Sequence, residues 1–169
     1  MHCQLGKNLS KPLTADPSEL VAPCGMNCAL CAAYLAKKND VRSQGVKMPI
    51  CAGCRPRGKQ CAYLKKWCPN LRNQKVTFCF ECADFPCKRP KTIDKRYRTR
   101  YQTSFIENLS FIKENGMEKF LEVQKEKWKC PKCGGTVCLH NGICFNCELE
   151  KLKAKKRKFR REETDEPKP

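Results

Sequence analysis

The chain has 169 residues, with 35 Lys or Arg, 17 Asp or Glu and 16 Cys, and its formal net charge is +18. Its most apolar stretch, residues 29–36, is far shorter than the roughly 18 residues of a membrane span, which excludes an integral membrane protein. Cysteine at this density is typical of a scaffold held by disulfides or by metal ions. Because the first residues lack the profile of a signal peptide, we expect a cytoplasmic protein with reduced thiols, which favours metal.

Residues 1–21 show no periodicity and no excess of charge, so we expect a flexible arm. Residues 22–98 form the predicted Cys-rich metal-binding domain, in which every cysteine is a candidate ligand. These candidates are Cys24, Cys28, Cys31, Cys51, Cys54, Cys61, Cys68, Cys79, Cys82 and Cys87. Three Cys-x-x-Cys pairs occur among them, and this spacing lets a tight knuckle point two thiolates at one tetrahedral ion.

A helical hairpin is predicted over residues 99–129, where no cysteine occurs. Its first helix would carry apolar residues at helical spacing and end at the Asn-Gly pair at 115–116; these residues are Tyr101, Phe105, Leu109 and Ile112. The second helix would bury Met117, Phe120, Leu121 and Trp128. We interpret these aromatic residues as core rather than as a surface for stacking bases.

Residues 130–150 have the pattern of a zinc ribbon, the most specific signal in the sequence. Two further Cys-x-x-Cys pairs, Cys130/Cys133 and Cys144/Cys147, supply a complete set of four thiolates. Cys138 and His140 lie between the pairs and could substitute as ligands, although we interpret His140 as an exposed turn residue next to Asn141 and Gly142. The sequence leaves the roles of Cys3, Cys138 and His140 open.

Residues 151–169 form a basic and then acidic tail, with eight Lys or Arg between positions 151 and 161. Such charge blocks are typical of disordered or frayed segments and also of arms that bind RNA, DNA or an acidic partner. Together these segments predict a small metal-stabilised fold of helices and irregular segments, made of a Cys-rich knuckle domain, a helical hairpin and a C-terminal zinc ribbon. The metal ions would replace a core that the Cys-rich segment is too short of apolar side chains to build.

The cysteine motifs also carry a resemblance to a known family. The runs at residues 22–34, 51–54 and 78–87, together with Cys61 and Cys68, resemble the prokaryotic domain-of-unknown-function family 3795. The segment from Trp128 to Gly134 is similar to a C-terminal ribbon often found in that family. The resemblance covers roughly residues 22–150. It implies metal binding and no particular reaction.

The identity of the metal and the grouping of the ten N-terminal cysteines stay open at this point. Soft thiolates accept about two to four zinc ions here, or a [4Fe-4S] cluster in the N-terminal domain. Ligand softness is the only physical guide to the metal, and on that basis we favour zinc. The bacterial ferredoxin run of cysteines is missing. Two four-Cys sites would leave two of the ten cysteines over, whereas one such site plus a binuclear site would use all ten.

A non-catalytic role is favoured, because a catalytic zinc usually has His or carboxylate ligands and this chain has two His in total. The predicted function is that of a basic docking module for nucleic acid or an acidic protein partner. The alternative is an iron-sulfur electron carrier or redox sensor that uses the N-terminal cysteines. The sequence predicts no catalytic residue and leaves the oligomeric state open.

Overall fold

The computed structural model describes residues 16–57 and 67–154. Its α-helices in these ranges are α1 Ala32–Lys38, α2 Pro69–Arg72, α3 Lys88–Tyr101, α4 Phe105–Asn115, α5 Met117–Lys127 and α6 Leu149–Ala154. Short 3-10 helices cover Pro17–Leu20, Cys28–Leu30 and Cys79–Glu81. The described residues form isolated β-bridges but no strand, so the predicted combination of helices and irregular segments is confirmed. No helix in these ranges is long and apolar enough to cross a bilayer.

The packed part of the chain begins earlier and ends later than the sequence predicted. Residues 1–15 of the predicted arm and 155–169 of the predicted tail lie outside the described ranges. Leu20 and Val21, which we expected in the arm, are buried, and Val21 pairs with Asn27 in a β-bridge. At the other end, α6 continues to Ala154 and buries Leu152. Buried apolar side chains therefore anchor the segments at both ends of the described ranges.

The helical region begins earlier than predicted and contains a break. Tyr101 is the last residue of α3 instead of the first turn of the next helix. The chain turns at Gln102, which has a left-handed backbone conformation, and Ser104 caps α4 by accepting a hydrogen bond from the Glu107 amide at 3.0 Å. The prediction of one helix through Tyr101 and Phe105 is therefore wrong.

Helices α4 and α5 pack against each other on either side of Gly116, which has φ of +85°. Phe105, Leu109 and Ile112 of α4 are buried, as is Phe120 of α5. The other aromatic residues of the predicted hairpin, Tyr101, Phe111 and Trp128, are half-buried and pack against the core, in agreement with our interpretation of these residues as core.

The Cys-rich segment packs on α4 at very short range. Gly25 lies where a Cβ atom would come within 2.5 Å of the Phe105 carbonyl oxygen, and its φ is +86°. The Gly25 carbonyl accepts a hydrogen bond from the Asn108 side chain at 2.9 Å. A glycine at position 25 is required both by this backbone conformation and by the lack of space.

The C-terminal segment packs on α1, although the sequence separates the two by about a hundred residues. One buried cluster combines residues of both segments: Leu35, Ala36, Val41, Cys138, Ile143, Phe145 and Leu152. The Leu139 amide donates a hydrogen bond to the Leu30 carbonyl at 3.0 Å. The predicted ribbon segment therefore shares a core with the Cys-rich domain.

Candidate metal centre

Four cysteine sulfurs come together at the C-terminal end of the described chain. Cys130, Cys133, Cys144 and Cys147 each offer one sulfur, and all four sulfurs lie within 4.8 Å of one another. The Sγ atoms of Cys130 and Cys147 are 3.6 Å apart, as are those of Cys133 and Cys144. Around a tetrahedral zinc ion with Zn–S bonds of about 2.3 Å, adjacent sulfurs would be about 3.8 Å apart. The donor set and its spacing fit one metal ion.

The first knuckle is shaped by its two glycines. The Gly134 amide donates to the Cys130 carbonyl at 2.9 Å, and the Cys130 amide donates to the Gly135 carbonyl at 2.7 Å. Gly134 has φ of +69°, a conformation that favours glycine. A Cβ atom on Gly135 would lie 3.2 Å from the Cys133 sulfur, so the backbone approaches this sulfur closely.

Hydrogen bonds to the sulfurs make the four thiols unequal. The Asn146 side chain, followed by the Gly135 amide, lowers the pKa of Cys133 to about 6. The neighbouring Cys133 thiol raises the pKa of Cys147 to about 12, and burial raises that of Cys144. Four thiolates in this small space would repel one another, and a bound cation would offset that repulsion.

The carboxylate of Glu148, the residue after Cys147, stabilises the turn between Cys144 and Cys147. Glu148 accepts hydrogen bonds from the Cys144 amide at 3.2 Å, from Lys132 at 3.0 Å and from Lys151 at 2.7 Å. Its side chain is only 13% exposed, and Lys151, Lys132 and the amide lower its pKa to about 2. We did not predict Glu148 from the sequence. The sequence did contain a signal for these contacts, because Glu148 lies four residues after Cys144 and three before Lys151.

Cys138 and His140 lie outside this cluster. Cys138 is fully buried in the core shared with α1. His140 lies in a turn as predicted, but it is half-buried instead of exposed, because its ring packs at 4.9 Å from the Tyr101 ring. Nδ1 of His140 accepts a hydrogen bond from the Ala32 amide, and its Nε2 lies 3.2 Å from the Tyr97 hydroxyl. Burial lowers the pKa of His140.

The N-terminal cysteines are spread over a wider region. No other group of three or more potential ligands in the described ranges is as compact as the C-terminal one. The Cys54 amide donates a hydrogen bond to the Cys28 sulfur at 3.3 Å. The interaction between the two neighbouring thiols lowers the pKa of Cys54 to about 7 and raises that of Cys28.

The remaining predicted ligands differ in burial. Cys24 and Cys79 are buried, Cys31, Cys51, Cys68 and Cys82 are half-buried, Cys87 is exposed and Cys61 lies outside the described ranges. The Cys82 sulfur accepts a hydrogen bond from the Asn70 side chain at 3.3 Å. All cysteines of the described ranges are free thiols in the structure.

The comparisons with known proteins agree with the cysteine motifs. No curated protein and no solved structure matches this chain. Residues 20–92 match the family model described as "Protein of unknown function (DUF3795)". This range contains all ten cysteines of the predicted Cys-rich domain. This segment of the chain therefore matches the family that its cysteine motifs resemble.

Proposed function

We propose that this protein is a non-catalytic zinc protein whose metal-held scaffold presents the basic helix α3 to the phosphate backbone of a nucleic acid. Four thiolates would fill the tetrahedral coordination of zinc and leave no position for a catalytic water. In a [4Fe-4S] cluster the four thiolates bind four different irons and are held further apart than around a single ion. The 3.6 Å separations within the sulfur pairs therefore support a mononuclear ion at the C-terminal site.

The observation that carries the docking proposal is the separation of charge on α3. This helix contains seven Lys or Arg, all exposed except the half-buried Arg89: Lys88, Arg89, Lys91, Lys95, Arg96, Arg98 and Arg100. Its single acidic residue, Asp94, is 3% exposed and is occupied by hydrogen bonds to the start of α4. The solvent-facing part of α3 is therefore basic only.

Most of these cations are available to a ligand. Within the described residues, the ion pairs of α3 involve Arg98 alone, which contacts Asp94 at 3.8 Å and Glu107 at 3.3 Å. Lys91, Lys95 and Arg98 line one side of an open groove with a volume of about 420 Å³. Basic side chains at this helical spacing can follow a row of phosphates, and such contacts are independent of base sequence.

The zinc part of the proposal is tested by metal and sulfide analysis, with a visible spectrum, on protein purified without oxygen. We expect zinc and no colour. Iron with sulfide and a broad absorbance near about 400 nm would overturn the zinc assignment and favour the iron-sulfur redox protein, whose reduction would then be measured.

The docking part is tested by fluorescence anisotropy with a short mixed-sequence duplex DNA and a single-stranded RNA over a salt series. With about four phosphate contacts, log K should fall against log salt with a slope of about −3.6 on duplex DNA, or about 100-fold between 50 and 200 mM. Lys91→Glu with Lys95→Glu should reduce that slope by about 1.8.

The matched control carries the same change of charge on α4 and α5, as Lys113→Glu with Lys125→Glu, and should bind almost as the wild type does. Equal losses in the two double variants, or affinity that does not respond to salt, would contradict the proposal. If polyglutamate binds to α3 and nucleic acid does not, the partner is an acidic protein and the nucleic-acid assignment is wrong.

A further inference from the structure

We propose a second metal centre, in which Cys28, Cys31, Cys51 and Cys54 together hold a thiolate-bound metal. Neither the family match nor the compact C-terminal cluster assigns such a site. The inference does not depend on nucleic-acid binding by α3. It groups the first two Cys-x-x-Cys pairs of the chain, which their spacing alone left ungrouped.

Direct contacts join the two pairs. The Cys54 amide donates a hydrogen bond to the Cys28 sulfur at 3.3 Å, so the last cysteine of the second pair lies against the first cysteine of the first pair. The Cys31 thiol is close enough to Cys51 and Cys54 to interact electrostatically with both. These contacts place the first pair next to the second.

The backbone fixes this arrangement. The Cys51 amide donates a hydrogen bond to the Ala33 carbonyl at 2.9 Å, which holds the second pair against the first turn of α1. Gly53, with φ of +106°, lets the chain turn between Cys51 and Cys54. A Cβ atom at this glycine would lie 2.9 Å from a Leu20 methyl carbon, so the turn is also closely packed.

Backbone amides point at the sulfurs, as they do at the C-terminal site. The Gly53 amide donates to the Cys51 sulfur at 3.3 Å, and the Cys54 amide donates to the Cys28 sulfur at the same distance. Hydrogen bonds of this kind stabilise thiolates and orient them as metal ligands. In the compact cluster the Gly135 backbone likewise approaches the Cys133 sulfur closely, and the Asn146 side chain donates a hydrogen bond to that sulfur at 3.5 Å.

Positive charge lies next to the same sulfurs. The Arg57 guanidinium donates a hydrogen bond to the Cys51 sulfur at 3.3 Å. Arg55 is close enough to Cys54 for an electrostatic interaction and is held by the Val21 carbonyl at 2.6 Å. A four-thiolate zinc site, like an oxidised [4Fe-4S] cluster with four thiolates, has a net charge of about −2, which these two guanidinium groups offset.

Zinc and an iron-sulfur cluster share this ligand chemistry, so the experiment must separate them. The full chain is purified without oxygen as wild type, as Cys51→Ser and as Cys147→Ser, and metal and sulfide are measured per chain. We expect two separable centres in the wild type. Cys51→Ser should lose the N-terminal centre and keep the other, and Cys147→Ser should do the converse. Iron and sulfide lost with Cys51→Ser would identify a cluster, whereas zinc lost alone would identify a single ion.

A second measurement on the wild type does not depend on how the variants fold. Thiols are alkylated before and after chelation, and the modified positions are mapped by peptide mass spectrometry. Cys31, Cys51 and Cys54 are half-buried and should become reactive together when the metal is removed. Equal alkylation rates before and after chelation would overturn the proposal.

Two further results would also refute this grouping: a single centre in the wild type, or loss of the N-terminal centre in Cys24→Ser but not in Cys51→Ser. Failure of the docking proposal is recognised separately, because Lys91→Glu with Lys95→Glu changes none of the cysteines and should leave the metal content unchanged.

Discussion

Replacing the buried Asp94 by Ala should destabilise the protein more than replacing any exposed polar residue of α3. The Asp94 carboxylate accepts hydrogen bonds from the Ser104 hydroxyl at 2.8 Å and from the Ile106 amide at 3.0 Å. Ser104 in turn accepts from the Glu107 amide. One buried carboxylate thus joins α3 to the first turn of α4, where the backbone amides have no partner within their own helix.

The expected loss follows from these contacts. A hydrogen bond to a charged group contributes about 1.5 to 3 kcal/mol, and we use the lower figure twice because the amide of Ile106 is only partly buried. The ion pair with Arg98 adds little, since that side chain is 61% exposed. Asp94→Ala should therefore cost about 3 kcal/mol. Asp94→Asn keeps an acceptor oxygen and should cost about half as much.

The measurement is urea unfolding followed by circular dichroism at a fixed excess of zinc, so that metal binding contributes equally to every variant. Asp84→Ala removes an exposed carboxylate and should stay within about 0.5 kcal/mol of the wild type. Ser104→Ala should cost about 1 kcal/mol, and combined with Asp94→Ala it should cost less than the sum, because the two residues share a hydrogen bond. An Asp94→Ala cost under about 1 kcal/mol, or strict additivity, would refute this account of the α3–α4 junction.

Three other predictions concern the C-terminal segment. Gly135→Ala should weaken zinc binding about tenfold in competition with a chelator, because the new methyl group would lie 3.2 Å from the Cys133 sulfur and 3.4 Å from the Cys144 sulfur; unchanged affinity would show that the knuckle can shift. Glu148→Ala should also weaken zinc binding about tenfold in that assay by releasing the Cys144 amide, while Glu150→Ala, whose side chain is 84% exposed, should have no effect; equal effects would rule out a specific role for Glu148. Burial lowers the pKa of His140 in the folded protein below its ordinary value of 6.5. As the pH falls below 6.5, the His140 side chain of the unfolded chain is therefore protonated before that of the folded protein, and the free energy of unfolding should decrease. Urea midpoints between about pH 7.5 and 5.5 should fall more steeply for the wild type than for His140→Gln, and parallel curves would contradict this.

The compact cysteine cluster could be predicted because its geometry is almost entirely local. A Cys-x-x-Cys knuckle is shaped by four residues and the glycines after it, as the Cys130–Gly135 hydrogen bond shows. The Cys130/Cys133 and Cys144/Cys147 pairs lie close together in the sequence, so each is the nearest pair of thiols with which the other can share a metal ion. The Cys28 and Cys54 pairing was harder to predict, since about twenty-five residues separate them and three Cys-x-x-Cys pairs compete in the same segment.

The errors came from contacts between distant parts of the chain. His140 has the local sequence of an exposed turn, yet its partner is the amide of Ala32, 108 residues away. The i, i+4 spacing of Tyr101 and Phe105 is real, because both rings pack against Tyr97. The helix nevertheless breaks between them, since Asp94 and Ser104 provide a start for α4. Periodicity reports which side chains share a core and leaves open whether one helix carries them.

Because of where the C-terminal cysteines lie in the fold, a metal ion bound to them would also stabilise more distant parts of the chain. Between the two knuckles lie Cys138 and Ile143, which share a buried cluster with Leu35 of α1. Helix α1 begins directly after Cys31, one of the ligands proposed for the second centre. Because binding free energy at a site that the unfolded chain lacks becomes folding free energy, an ion at Cys130–Cys147 would stabilise α1 together with its own knuckles. The packing thus makes the two cysteine groups parts of one folding unit, on which the basic helix α3 is held through Tyr97 and His140.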